Sequence, residues 1–308
     1  MNPPQFIARM EQYWAAYKAL ALRHARERIE LGRQYRSANT DSTPEKPLRP
    51  LDEVAAELAQ GAVEECASSL INDLFKFAVS TFSPNAFTPV DIEEREKNYQ
   101  VGHPCHPKTF SPTRLWAELE THYGDGIGHL LAYRKRAKAI ARTFRISADE
   151  PMTMKNGRLV LTQSAYVEKF SSRIRLGSSH CETMRRDLIP ALISFAAWAG
   201  KPALAEALAP IATRFSYPAD VVSRESFLMG NAQDDRIKLV TYHTSFEWTF
   251  EPAVAEPLTL FLSEFFFTLP EMAALVWAGF PAGHSEVPST ITPGEHMRPW
   301  GPCVFPLC

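Results

Sequence analysis

The 308-residue chain has few cysteines, and the five present, Cys66, Cys105, Cys181, Cys303 and Cys308, are odd in number and scattered. Such a set does not build a disulfide framework, so reduced thiols are expected. No CxxC, HExxH, GxSxG, P-loop or dinucleotide fingerprint occurs. Zinc fingers, zincin proteases, α/β-hydrolases and the common nucleotide folds therefore lack their signatures. The glycine cluster Gly124-Asp125-Gly126-Ile127-Gly128 follows a helical pattern, where a phosphate-binding loop would follow a strand. The opening segment has no basic region, apolar core and small-residue cleavage site, which predicts a cytoplasmic protein. The most apolar stretch, from Pro257, is interrupted by Glu264, Pro270 and Glu271, so a membrane span of about 20 apolar residues is not expected. There is no internal repeat.

What is present is ample apolar material, 45% of the residues, and a charge distribution that the net value of −2 conceals. Residues 1–50 carry +4, 51–107 carry −7, 108–187 carry +7 and 188–308 carry −6. Blocks of alternating sign either neutralise one another within the fold or leave a basic surface for a polyanion.

The fold class expected is mainly α with two small β elements. Apolar residues at three- and four-residue spacing predict a long helix over 1–36, read as an N-terminal arm able to dock a protein partner or a second copy. Three prolines and polar residues over 37–50 read as a linker. A helical domain over 51–165 follows, then a C-terminal helical region over 166–279, and a proline-rich irregular tail over 280–308. Within the last region helices are expected over 164–175, 182–199, 203–215, 253–268 and 271–278. A strand or hairpin is expected over 236–250, where Val240, Tyr242, Thr244, Phe246, Trp248 and Phe250 fall on one face by alternation.

Residues 111–162 hold the pattern with the most chemistry in it. Ser111-Pro112 is an N-cap followed by proline at the first helical position, and opens a short helix. The glycine turn ends that helix, and 129–146 continues as a second one with six basic residues and no acidic one. Asn156-Gly157 then marks a tight hairpin, because both central positions of that turn need positive φ. Helix, turn, basic helix and hairpin in that order are the parts of a winged helix-turn-helix. On this reading the chain is a non-catalytic nucleic-acid-binding or regulatory protein, with duplex DNA the expected partner. Arg134, Lys135, Arg136, Lys138, Arg142 and Arg145 would contact phosphates from the helix, and Lys155 and Arg158 from the hairpin.

Two other classes compete with it. One is an assembly protein that docks acidic surfaces through its N-terminal helix and basic face. The other is a metal-dependent enzyme centred on 103–129. "VGHPCHPKTF" (101–110) places His103, Cys105 and His106 within four positions, with His122 or His129 available to complete a site. Adjacent ligands rarely reach one tetrahedral zinc, and no recognised spacing is present. The segment is therefore read as a turn stiffened by Pro104 and Pro107, its histidines capping the helix at Ser111 or meeting the acidic run 91–96, and no cofactor is assigned.

Overall fold

A computed structural model describes residues 2–39, 50–147, 152, 154–170, 173–231 and 235–267. Most of the expected linker, the expected helix 271–278 and the tail 280–308 lie outside these residues.

Helix α1 (Pro3–Asn39) is long, as its periodicity implies, yet its first half is not a free arm. Ile7, Met10 and Trp14 recur at helical spacing and are buried against α2 (Leu51–Phe82) and α3 (Pro112–Tyr123). Leaving three such side chains in water would forfeit roughly 1.5–3 kcal/mol each, so the helix docks. Phe6 stacks on Phe77 at 4.1 Å between centroids, and Phe82 stacks on Trp116 at 5.1 Å. A 3-10 turn (Glu93–Tyr99) and the turns of 100–110 close this first core, which ends at Ala132 on the following helix.

That helix is α4 (Ile127–Phe144), and it belongs to two cores at once. Ala132 faces the first, while Ala137, Ile140 and Phe144 face a larger second core. Short α5 (Ser178–Glu182) runs through a π-helical segment (Thr183–Leu188) into α6 (Ile189–Trp198). With α7 (Pro202–Arg214) and α8 (Pro252–Phe265), these helices cover one side of the second core. A buried hydrogen bond between the hydroxyls of Thr88 and Ser194, 2.6 Å long, ties the loop after α2 to α6.

An antiparallel sheet covers the other side, in the order β1-β2-β7-β6-β5. Its strands are β1 (Met154–Lys155), β2 (Arg158–Ser164), β5 (Ser226–Met229), β6 (Ile237–Thr241) and β7 (Ser245–Phe250). Asn156 and Gly157 take φ of 53° and 76°, as their hairpin turn demands. Trp248 is fully buried between Leu161 and Leu239 on the neighbouring strands.

Two expectations are corrected here. The segment 164–175 is not a helix: it completes β2 and forms a separate hairpin, β3 (Val167–Phe170) with β4 (Arg173–Leu176). Val167, Phe170 and Ile174 are better strand formers than helix formers. The 236–250 element is the hairpin among the two forms expected, and its single alternating row is overturned because the chain reverses over 242–244. The buried row is therefore Ile237, Leu239 and Thr241 opposite Phe246, Trp248 and Phe250, and Val240 is not in it. His243 is exposed in the turn and lines no strand face. Among the described residues no helix is long and apolar enough to cross a membrane.

Two glycines in helices separate a packing role from a propensity cost. A Cβ at Gly128 would stand 2.6 Å from the Phe82 carbonyl oxygen, where α4 starts against the end of α2, whereas one at Gly61 would meet nothing within 4 Å. Gly128→Ala is expected to lower unfolding free energy by about 1–3 kcal/mol. Gly61→Ala should raise it by about 0.5–1 kcal/mol. Chemical denaturation of both variants checks the pair; equal effects would show that α4 does not approach α2 this closely.

Candidate functional site

Helix α4 decides where the basic side chains go. At about 100° per residue, Arg134, Lys135, Lys138 and Arg142 fall within an arc of about 100°, over roughly 12 Å of axis. The buried positions Ala132, Ala137, Ile140 and Phe144 occupy the rest of the circumference. Arg145, with φ of 56°, ends the helix in the left-handed region beside this stripe.

All five of these cations are exposed. Lys135 pairs with Asp91, an exposed contact of small worth. Arg134, Lys138, Arg142 and Arg145 have no carboxylate partner among the described residues. A groove of about 300 Å³ runs beside the stripe, lined by Lys135, Lys138, Arg142 and Thr143 with Thr183 and Asp187 opposite. Arg136 lies on the other side of the helix. Its guanidinium is half-buried, burial lowers its pKa, Asp187 and Asp91 oppose that shift, and its Nε has no hydrogen-bond partner.

The hairpin residues divide. Lys155 is exposed on the edge strand, and Arg158 is held by Glu251 at 2.7 Å, at the start of α8. Because β2 pairs with β7 along its other edge, the hairpin has its tip and the outer edge of β1 unpaired among the described residues. In an isolated wing that second edge of β2 would be open.

The ligand-type residues of 101–110 meet partners that their spacing did not indicate. Successive turns from Gln100 to Thr109 fold the segment onto α3, and His103 Nε2 donates to Glu118 Oε1 at 2.8 Å. On the other side of the ring, the Cys105 N–H donates to His103 Nδ1 at 3.3 Å, and the Cys105 sulfur is 2.8 Å away. A carboxylate beyond one nitrogen and an N–H donor beyond the other put the ring proton on Nε2. Cys105 is fully buried, and burial pushes its thiol up to about 11, which removes it as a thiolate nucleophile. His106 turns away, accepting from the Lys108 N–H.

Beside them sits Glu94, a carboxylate only 2% exposed. His122 Nδ1 donates to its Oε1 at 2.6 Å and the Tyr123 hydroxyl donates to its Oε2 at 2.9 Å. Lys97 Nζ stands 3.9 Å from Glu94 and 3.8 Å from Glu118. Ligand atoms of Glu94, Glu118 and His122 all lie within 4.8 Å of one another. A cavity of about 590 Å³ opens on this cluster, lined in part by Glu94, His122, Tyr123 and Lys97.

Comparison with protein-family models, curated proteins and solved structures finds no match to this chain. A functional assignment therefore rests on the geometry of the chain itself.

Glu94 and Glu118 are the residues that sequence reasoning misses. Glu94 is one of four carboxylates in an acidic run, and nothing local marks it as the buried one. A signal for Glu118 does exist: it precedes His122 by four residues, so both project from one face of α3. His180 receives a hydrogen bond from Gln163 at 3.2 Å in the second core, and burial lowers its pKa.

Burial alone would push the Glu94 carboxyl up, but the hydrogen bonds from His122, its own backbone N–H and Tyr123, with the Lys97 charge, bring it below the ordinary value. A carboxyl with a depressed folded pKa adds stability that is complete above its unfolded pKa, near 4.5, and is lost as pH falls through the folded one. Wild-type protein should therefore lose thermal stability more steeply than Glu94→Gln between about pH 5 and pH 3, while Glu94→Gln is the less stable protein at pH 7. Parallel profiles in a pH series of melting temperatures would remove Glu94 as the titrating group.

Proposed function

We propose that this chain binds nucleic acid, duplex DNA first, through the cationic stripe of α4, and that it does so without chemistry of its own. The observation that carries the reading is that Arg134, Lys138, Arg142 and Arg145 are exposed together with no carboxylate partner among the described residues. A protein gains little stability from a row of unpaired like charges, since their mutual repulsion disfavours the compact state. A polyanion turns that cost into affinity, because each neutralised phosphate releases condensed counterions. The stripe presents its charges over roughly 12 Å to a duplex carrying one phosphate per about 1.7 Å of axis.

The order of α3, α4 and the Asn156-Gly157 hairpin supports a winged-helix-like use of these parts, with α4 against the duplex and Lys155 at the hairpin tip. The contacts would be mainly to the backbone. Arginine and lysine ends on phosphates set position and orientation, whereas sequence is read from base edges. Arg136 and Arg158 belong to this surface only in part, the first being half-buried and the second held by Glu251.

Fluorescence anisotropy of labelled duplex DNA, single-stranded DNA and RNA across about 50–200 mM salt tests the reading. Replacing Arg134, Lys138 and Arg142 together by glutamate should lower duplex affinity at least tenfold and flatten the salt slope by about 2–3 units, at about 0.9 per phosphate contact. The melting temperature should stay nearly unchanged, because each site is exposed. Duplex binding equal to wild type, or a wild-type protein that binds none of the three, overturns the proposal.

A further inference from the structure

The cluster at Glu94, Glu118 and His122 has a geometry that the nucleic-acid reading does not use. Its members come from separate pieces of chain: the 3-10 turn supplies Glu94, α3 supplies Glu118 and His122, and the 101–110 turn supplies His103 behind Glu118. Two carboxylates and an imidazole converge at the end of a cavity of about 590 Å³. Lys97, at 36% exposure, holds its ammonium between the two carboxylates at 3.9 and 3.8 Å, beyond hydrogen-bond range of either. The space between the carboxylates thus already holds a positive charge, in direct hydrogen-bond contact with neither.

We propose that Glu94, Glu118 and His122 form a site for a divalent cation of the zinc class, with a fourth coordination position open to the cavity. Mixed carboxylate and imidazole ligands suit zinc and its borderline neighbours, and ligand bonds of about 2.0–2.2 Å are reached by small rotations of the Glu118 and His122 side chains, both of which touch solvent. The buried Glu94 stays held at Oε2 by Tyr123, while the His122 Nδ1 that donates to Oε1 releases its proton to solvent on turning to the ion. His103 is a positioning residue. Its Nε2–H on Glu118 and its Nδ1 on Cys105 hold the second carboxylate towards the ion, as a histidine or carboxylate behind a metal ligand commonly does. Lys97 competes with the ion and swings into solvent when the site fills.

This competition separates a metal site from a network of buried ion pairs. The test uses the full chain stripped with a chelator, Zn²⁺ alone as the probe, competition titration against a chromophoric chelator, and melting temperature with and without the ion. Wild type should bind one equivalent and melt about 5 °C higher at saturation. His122→Ala, at a half-exposed position where folding is safe, and Glu118→Gln should each weaken binding at least tenfold. Lys97→Met should bind zinc more tightly than wild type. A stoichiometry well below one, affinities unchanged in His122→Ala and Glu118→Gln, or weaker binding by Lys97→Met would each overturn the assignment. Because none of these variants touches Arg134, Lys138 or Arg142, the result is independent of the outcome with DNA.

Discussion

The structure depends on one helix being shared by two hydrophobic cores. Helix α4 packs against the ends of α2 and α3 through Gly128 and Ala132, and against α6, α8 and β2 through Ala137, Ile140 and Phe144. Alanine and glycine at the contacts let its backbone approach closely, and the larger Ile140 and Phe144 fill the wider second core. Burial on several sides leaves one arc for charge. The row of cations is thus a consequence of double packing as much as of composition: residues that face neither core have only solvent left to face.

The same arrangement brings two polar regions next to each other. Lys135 lines both the groove beside the cationic stripe and the cavity above Glu94, and its pairing with Asp91 stands between them. On one side Arg134, Lys138, Arg142 and Arg145 are exposed with no carboxylate partner among the described residues. On the other, Glu94 is nearly sealed, and its charge is retained because His122 and Tyr123 donate to it directly and Lys97 lies close. A buried carboxylate without such partners would cost several kcal/mol. Segment 91–110 is held to α3 through these polar contacts and through Ile92, Cys105 and Phe110 in the first core.

Signals in the chain transfer to the structure where they are local in origin. Ser111 caps α3, accepting from the Arg114 N–H at 3.4 Å, with Pro112 in the first turn as its ring geometry favours. In the turn into α4 Gly126 takes positive φ, with the non-glycine Asp125 beside it, and Asn156-Gly157 forms the tight hairpin. Failures fall where two periods compete. Residues 164–175 can be fitted to the helical period, although Val167, Phe170 and Ile174 favour extended chain. In 236–250 a single alternation runs on through a reversal of the chain, which puts Val240 on the wrong face. A one-residue offset is enough to exchange the faces of a strand.

The sequence by itself determined the helical character of the protein, the placement of basic residues on one helix and the positions of its caps and tight turns. Each of these follows from spacing, capping chemistry or allowed φ within a few residues, and needs no distant partner. Only the tertiary structure decided that α1 docks onto α2 and α3, that the hairpin at Asn156-Gly157 joins a five-stranded sheet, and that Glu94, Glu118, His122 and His103 meet. The reason is physical: which carboxylate of an acidic run loses its water is settled by what packs over it, and that packing is made by residues far away in the chain.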